Sequence, residues 1–337
     1  MVKVSLFTVC DYYDDVHTDP ASFYEEQIEL AKWAEELNYD AFFVAEHHFH
    51  PYGLVPDAAL MLTAVARETE RINLGPAICT LPFHNPVRAA EQYAMLDQLS
   101  KGRLVLGVGS GYLAHEFEGF NMTPANKRQI FDEALEVMEK GMTGKKFKHS
   151  GDYFTVPKTK LNVSTYGGRE VTPKIAILTE LAAYHVGRRG YGIMTVPYAT
   201  VDTIDDAVPM FENYRKGWAE NGKPGEGEVF AAVHTHCTTD AGPADNKVNR
   251  DHLEKYVYSR LYAKHSDYDE CLTRRVIATG RPSDVTEQLQ RVIDTGVNHL
   301  KLIVNYGAMP RDEVRGTLEL VANEVRPNLV EFEHAVA

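Results

Sequence analysis

The feature that most constrains this chain is a repeated switch between short apolar runs and amphipathic stripes. Val2–Val9 reads as a buried strand, and Asp40–Ala45, Ile72–Thr80 and Arg103–Val108 repeat the pattern. Between them lie stripes with helical spacing. After Asp19-Pro20 the apolar positions Phe23, Ile28, Leu30, Ala31, Ala34 and Leu37 fall on one face. Further helices are expected over Pro56–Glu68, Pro86–Leu99 and Pro124–Gly141. Such a rhythm builds right-handed βα units around a parallel sheet. It breaks over 145–172, where aromatic and polar residues alternate around Gly151-Asp152 and predict an inserted hairpin or extended excursion. It resumes with strands at Lys174–Leu178, Gly192–Val196 and Val229–Cys237. A charged, Tyr-rich stretch over 240–280 interrupts it again, before a strand at His299–Val304 and a terminal helix over Asp312–Val325. The eight strands with interleaved helices predict an α/β fold, a (β/α)8 TIM barrel carrying two insertions.

Length alone is ambiguous. The 337 residues suit either two domains of about 150 residues or one barrel with insertions. No linker rich in Pro, Gly or Ser divides the chain, which favours a single domain over 1–337. Lys and Arg number 35 against 48 Asp and Glu, leaving a net charge of −13. That charge repels phosphate backbones and anionic membrane surfaces, so neither nucleic acid nor a membrane is an expected partner. A local basic pocket for one phosphate stays compatible with it. Cys10, Cys79, Cys237 and Cys271 form no CxxC pair, which disfavours a zinc ribbon or disulfide framework and suits a reducing cytoplasm. The apolar run at the start is too short for a signal peptide, and no stretch approaches a membrane span.

In a barrel, chemistry gathers at the C-terminal ends of the strands. The second strand is followed by Glu46-His47-His48-Phe49-His50. Consecutive strand residues point opposite ways, so at most one of His47 and His48 faces a pocket. That histidine is open to three readings: metal ligand, catalytic or substrate-binding group, or packed loop residue. The third strand runs into Gly75-Pro76-Ala77-Ile78-Cys79-Thr80, whose small residues would admit a planar ligand close to the backbone, though by itself the run reads only as a tight turn. The fourth leads into Gly107-Val108-Gly109-Ser110-Gly111-Tyr112, which could cradle a phosphate with backbone N–H groups. Its spacing is not GxGxxG and no helix obviously begins there, so a packing role is an equal alternative. His234 and His236 share one strand face, a metal-pair spacing that lacks an evident third ligand. Signatures of the common hydrolases and phosphotransferases are absent.

In one frame these segments resemble the bacterial-luciferase-like family of flavin-dependent monooxygenases. Asn38-Tyr39-Asp40 through Glu46-His47-His48-Phe49 is similar to that family's GFD…EHHF segment. Asn73-Leu74-Gly75 through Leu81-Pro82-Phe83-His84-Asn85-Pro86-Val87-Arg88 resembles its third strand and loop. Leu96-Asp97 through Ser100-Lys101-Gly102-Arg103 and Gly107-Val108-Gly109 resembles the segment that follows. The similarity is strongest over 38–120 and continues, more weakly, at 173–190 and 280–302.

The resemblance implies a barrel enzyme that takes reduced FMN from a separate flavin reductase. With dioxygen it forms a 4a-hydroperoxyflavin and oxygenates a small organic substrate. It assigns His47 to stabilising that species or to acid–base work, for which a donor in a dry pocket is suited. It implies a non-proline cis peptide at Ala77-Ile78 behind the flavin ring. Flavin contacts are implied at Gly109, Ser110, Gly111 and Tyr112, and at Leu178 and Thr179, where a helix start offers N–H groups to the phosphate. No metal is implied. Ser110 stands where luciferase often carries an arginine for the phosphate, leaving Arg188 and Arg189 as substitute candidates. The 240–280 stretch falls where the family has a mobile lid, and Ala-rich helices at 56–68 and 86–99 imply a homodimer. Three alternatives stand beside this reading: a deazaflavin-dependent hydride-transfer oxidoreductase, a non-catalytic flavin-binding accessory subunit, and a metal-dependent barrel hydrolase built on His47, His234 and His236.

Overall fold

In a computed structural model, which describes residues 2–259 and 266–332, parallel strands close into a ring. In chain order they are β1 (Lys3–Thr8), β2 (Ala41–Val44), β3 (Asn73–Pro76), β4 (Cys79–Thr80) and β5 (Gly107–Gly109). An antiparallel hairpin of β6 (Phe147–Ser150) and β7 (Thr155–Thr159) stands apart from the ring. The ring then continues through β8 (Lys174–Ala176), β9 (Gly192–Thr195), β10 (Val229–Cys237), β11 (Ile277–Gly280) and β12 (His299–Ile303). Its neighbours run β3-β2-β1-β12-β10-β9-β8-β5-β4, and a bridge between Leu74 and Leu104 joins the two ends. β3 and β4 are one run interrupted at the cis peptide between Ala77 and Ile78. The mostly parallel barrel predicted from the alternation is therefore present.

One strand is additional. β11 lies inside the stretch expected as an excursion, yet it pairs in parallel with His234–Cys237 of β10. β12 pairs with the other half of β10, Phe230–His234. Its short apolar run, Val276 to Ala278, ends a charged, Tyr-rich stretch and does not stand out from it. Residues 260–265 of the expected lid lie outside the described residues.

The helices are α1 (Pro20–Glu36), α2 (Ala58–Glu68), α3 (Pro86–Leu99), α4 (Ala114–Gly119), α5 (Lys127–Met142) and α6 (Glu180–Arg188). They continue with α7 (Pro197–Thr200), α8 (Ala207–Asn221), α9 (Lys247–Ser259), α10 (Tyr268–Arg274), α11 (Pro282–Asp294) and α12 (Arg311–Leu320). Side-chain caps fix several starts. Asp19, Asp57 and Asn85 accept the otherwise unpaired N–H groups of the first turns of α1, α2 and α3. Pro20 and Pro86 occupy first-turn positions, where no N–H is missed. The predicted start at Pro124 is a separate 3-10 turn, and α5 begins three residues later. Among the described residues, no helix is long and apolar enough to cross a membrane.

Two residues of the motif around 96–103 hold this frame together. The Arg103 guanidinium donates to the carbonyls of Ala66, Thr69, Ile72 and Ser100, tying the end of α2 to the β3 entrance. Asp97 is fully buried and receives Arg169 through Nη2 at 2.6 Å and Nε at 3.1 Å. Tyr166 N and Leu104 N donate to the same carboxylate, so the segment after the hairpin is pinned to α3. Inside the barrel, Phe43 and Phe230 meet edge to face at 6.0 Å between centroids. Beyond them the walls shrink to Ala45, Ala77 and Ala176, and a hollow opens.

Candidate active site

The chain leaves β2 without turning, and the residues after Val44 divide between two sides. His47 faces the hollow, anchored by its backbone N–H on Val55 O at 3.1 Å. Gly53 packs against it so closely that a Cβ there would lie 2.7 Å from the His47 Cβ. The His47 Nδ1 is 3.0 Å from Oε1 of Glu116, a buried residue on α4. The same oxygen accepts the His48 N–H at 3.1 Å. A proton on Nδ1 directed at this carboxylate leaves Nε2 as the ring atom available to the cavity. His48 turns away, its ring among Phe49, Phe83 and Phe120.

Glu46 joins the β2 end to the broken strand. Its Oε1 accepts the Thr80 N–H at 3.1 Å and lies 2.9 Å from His84 Nε2. Burial opposes ionisation of this carboxyl, but the hydrogen bonds and charges of His48 and His84 outweigh it and hold it below the usual carboxylate range. Burial likewise opposes a charge on His84, and its contacts with Cys79 and Glu46 prevail, raising it above the usual imidazole range. Glu46, Cys79 and His84 bring ligand-type atoms within 4.8 Å of one another. The set weighed from sequence, His47 with His234 and His236, does not assemble. His234 is surrounded by Tyr198, Tyr256 and Tyr306, and His236 meets Glu313 and Asn246.

The hollow is a cavity of about 370 Å³ at the C-terminal end of the strands. Ala77 and Ile78 form one wall, and Ser110, Gly111 and Tyr112 a second. Leu178 and Thr179 close a third side, where the Thr179 hydroxyl caps α6 through Ala182 N. Gly109 stands behind the first wall rather than on it. A Cβ at Gly109 would come within 2.2 Å of Ile78 Cδ1 and force that side chain into the cavity. Gly111 has φ +72°, a left-handed conformation that glycine adopts without strain.

Several lining residues were not singled out from the sequence. Glu116 carried no signal, because α4 is six residues long and has no side-chain cap. Lys127 and Arg128 reach the cavity from the start of α5, with Lys127 Nζ on Gly111 O at 2.8 Å. Two cations in a first helical turn oppose the helix dipole, a misfit visible in the sequence. Arg188 and Arg189, the candidates named for the phosphate, sit at the opposite end of α6. Arg189 is engaged with Asp132 at 2.6 Å and neither residue lines the cavity.

The sequence profile of luciferase-like monooxygenases matches residues 3–299. The chain belongs to that family. It is 24% identical to limonene 1,2-monooxygenase of Rhodococcus erythropolis over 90% of this chain and 81% of that protein. A 39% identical match to the uncharacterized protein y4vJ of Sinorhizobium fredii covers 48% of this chain and 46% of that protein. Among solved structures, monooxygenase RslO1 from Streptomyces bottropensis superposes with a TM-score of 0.89 at 25% identity, covering 96% of this chain and 99% of that one. The oxygenating constituent of 3,6-diketocamphane monooxygenase from Pseudomonas putida, in complex with FMN, gives 0.85 at 20% identity, covering 99% and 100%. An F420-dependent secondary alcohol dehydrogenase gives 0.74 at 20% identity, covering 98% and 99%. The family makes this chain a flavin-dependent monooxygenase, an oxidoreductase.

Proposed function

We propose that this enzyme takes reduced FMN, handed over by a separate flavin reductase, and dioxygen, and transfers one oxygen atom to a small organic substrate. The observation that carries the reading is the meeting, in one cavity, of a cationic mouth, a flat wall of small residues and a carboxylate-held histidine. The residues fit such a cofactor. Ala77 and Ile78 offer a hydrocarbon face to a ring system, and Gly109 keeps Ile78 from filling the ring's space. Lys127, Arg128 and the first-turn N–H groups of α6 that the Thr179 cap leaves over match a phosphate dianion, with the Ser110 hydroxyl beside them. Bound there, reduced FMN supplies the two electrons that activate dioxygen.

The protein's own part is proton handling and exclusion of water. His47 Nε2 gives or takes the proton at the reacting oxygen, while Glu116 keeps the proton on Nδ1 and the ring in place. Phe7, Val9, Tyr52 and Ile303 line the remaining walls and keep that exchange away from bulk water. The deazaflavin reading draws on the likeness to the F420-dependent dehydrogenase. One anaerobic titration decides between them: saturable binding of reduced FMN, followed by oxygen-dependent reoxidation, is expected. Tight binding of reduced F420 with none of FMN would replace this reading by hydride transfer.

We also propose a homodimer that pairs through α2 and α3, whose Leu60 and Met95 are exposed at 72% and 54%. A cytoplasmic location suits the four free cysteines.

A further inference from the structure

We propose that the floor of this cavity carries a second, covalent chemistry, in which Lys301 captures the carbonyl carbon of a small aldehyde or ketone as an imine. The proposal rests on the reading of the cavity as a ligand site and on no property of a flavin.

β12 places Lys301 inside the barrel, level with Ser5 of β1 and Ala232 of β10. The residue is 2% exposed, and that small exposure is to the cavity, which it lines together with Phe7 and Ile303. Its Nζ lies 5.1 Å from the Phe7 ring centroid and 5.5 Å from that of Phe43. Among the described residues, no carboxylate and no hydrogen-bond acceptor meets it. Lys174, at the opposite end of the barrel, shows the ordinary solution: its Nζ is paired with Glu228. Lys301 has no such partner, so a charge there is compensated only by two aromatic faces. Burial accordingly pushes its amine down to about 7. The mechanism derived for His47 and Glu116 makes no use of this group.

An unprotonated amine at the end of an apolar hollow is a nucleophile kept from solvent. Val9, Ala45, Met194 and Ile303 suit the hydrocarbon part of a ligand, and the amine then meets its polar end. The Nζ lone pair forms a bond to the carbonyl carbon as the π electrons move to oxygen. A proton passes from nitrogen to that oxygen, giving a carbinolamine. Loss of water leaves the C=N bond. Nothing is oxidised or reduced, and no further reactant is needed.

The test is reductive trapping of the intact protein with butanal and cyanoborohydride at pH 7.5, followed by peptide mass mapping. The peptide carrying Lys301 should be modified about tenfold or more faster than that carrying Lys247, whose amine is exposed and paired with Asp251. Modification of Lys247 at an equal or greater rate overturns the proposal. Lys301→Met keeps an unbranched side chain of similar length, carries no amine and cannot be trapped. It should fold as the parent does by circular dichroism and lose the fast-labelling site, and a fast site that persists in it places the reactivity elsewhere and overturns the proposal. The labelling is repeated with saturating FMN. Retained labelling supports a substrate subsite, and full protection assigns the amine to the cofactor and overturns the carbonyl reading. Failure of FMN to bind at all is read separately by flavin fluorescence; it defeats the flavin reading and leaves the labelling result standing.

Discussion

One carboxylate oxygen of Glu116 serves two consecutive residues, the His47 ring and the His48 N–H, and so fixes both the direction and the tautomer of the histidine. His47→Ala removes the group proposed to handle the proton at the reacting atoms. Oxygenation should fall by about 10²–10⁴ while reduced-FMN binding is kept, read by product formation and flavin titration. Glu116→Gln keeps the shape and loses the charge. A smaller loss is expected, together with a displaced pH–rate profile that a packing defect alone would not give. At the mouth, Lys127→Ala should weaken FMN about tenfold or more and leave riboflavin, which has no phosphate, nearly unaffected. Equal losses for both flavins would remove Lys127 from the phosphate site. His47 was legible because a histidine at a strand end has few bland uses and a family motif surrounds it. Glu116 was not, since its role exists only once α4 folds over β2. Lys127 lay between these cases, a charge on the wrong end of a helix.

At the scale of elements, Glu46 ties the end of β2 to β4 through Thr80 and to the turn beyond it through His84. The Glu46 carboxyl titrates lower in the folded protein than in the unfolded chain. Its contribution is therefore complete above about pH 4.5 and lost as pH falls through the depressed value. His84 titrates higher in the folded protein, so its contribution is complete below about pH 6.5 and lost as pH rises. Both are complete only between these limits. His84→Asn should lower the melting temperature most near pH 6 and flatten the decline on the alkaline side. A variant whose alkaline slope matches the parent would remove His84 as its source. The eight strands predicted were legible because each is a distinct apolar run. β11 escaped because its short apolar run ends a charged, Tyr-rich stretch that masks it, and the start of α5 moved because Pro124 opens a 3-10 turn instead.

At the scale of the molecule, the Arg169–Asp97 pair joins the segment beyond the hairpin to the ring's helical shell. Arg169→Ala strands a buried carboxylate that keeps only its two backbone donors. A loss of about 3 kcal/mol is expected in denaturant unfolding, and a change near zero would show that the two N–H groups suffice. Leu60→Glu with Met95→Glu should convert the proposed dimer to monomer in light scattering, and an unchanged mass would move the interface elsewhere. The ring itself was legible from counting strands. Its closure through Leu74 and Leu104 was not, because an apolar run marks a strand without saying which strand it pairs with.

The first strand of this barrel lies beside the last, with Lys3, Ser5 and Leu6 in register with His299, Lys301 and Leu302. During synthesis, β1 emerges almost three hundred residues before the strand that completes its pairing. Until β12 is made, β1 and β10 each keep an open edge, and the cavity has neither floor nor closed wall. A growing chain can build the loop with His47 and the helix with Glu116, yet it has nothing to shut around a cofactor. Any capture of a ligand by the cavity thereby waits until β12 has been made.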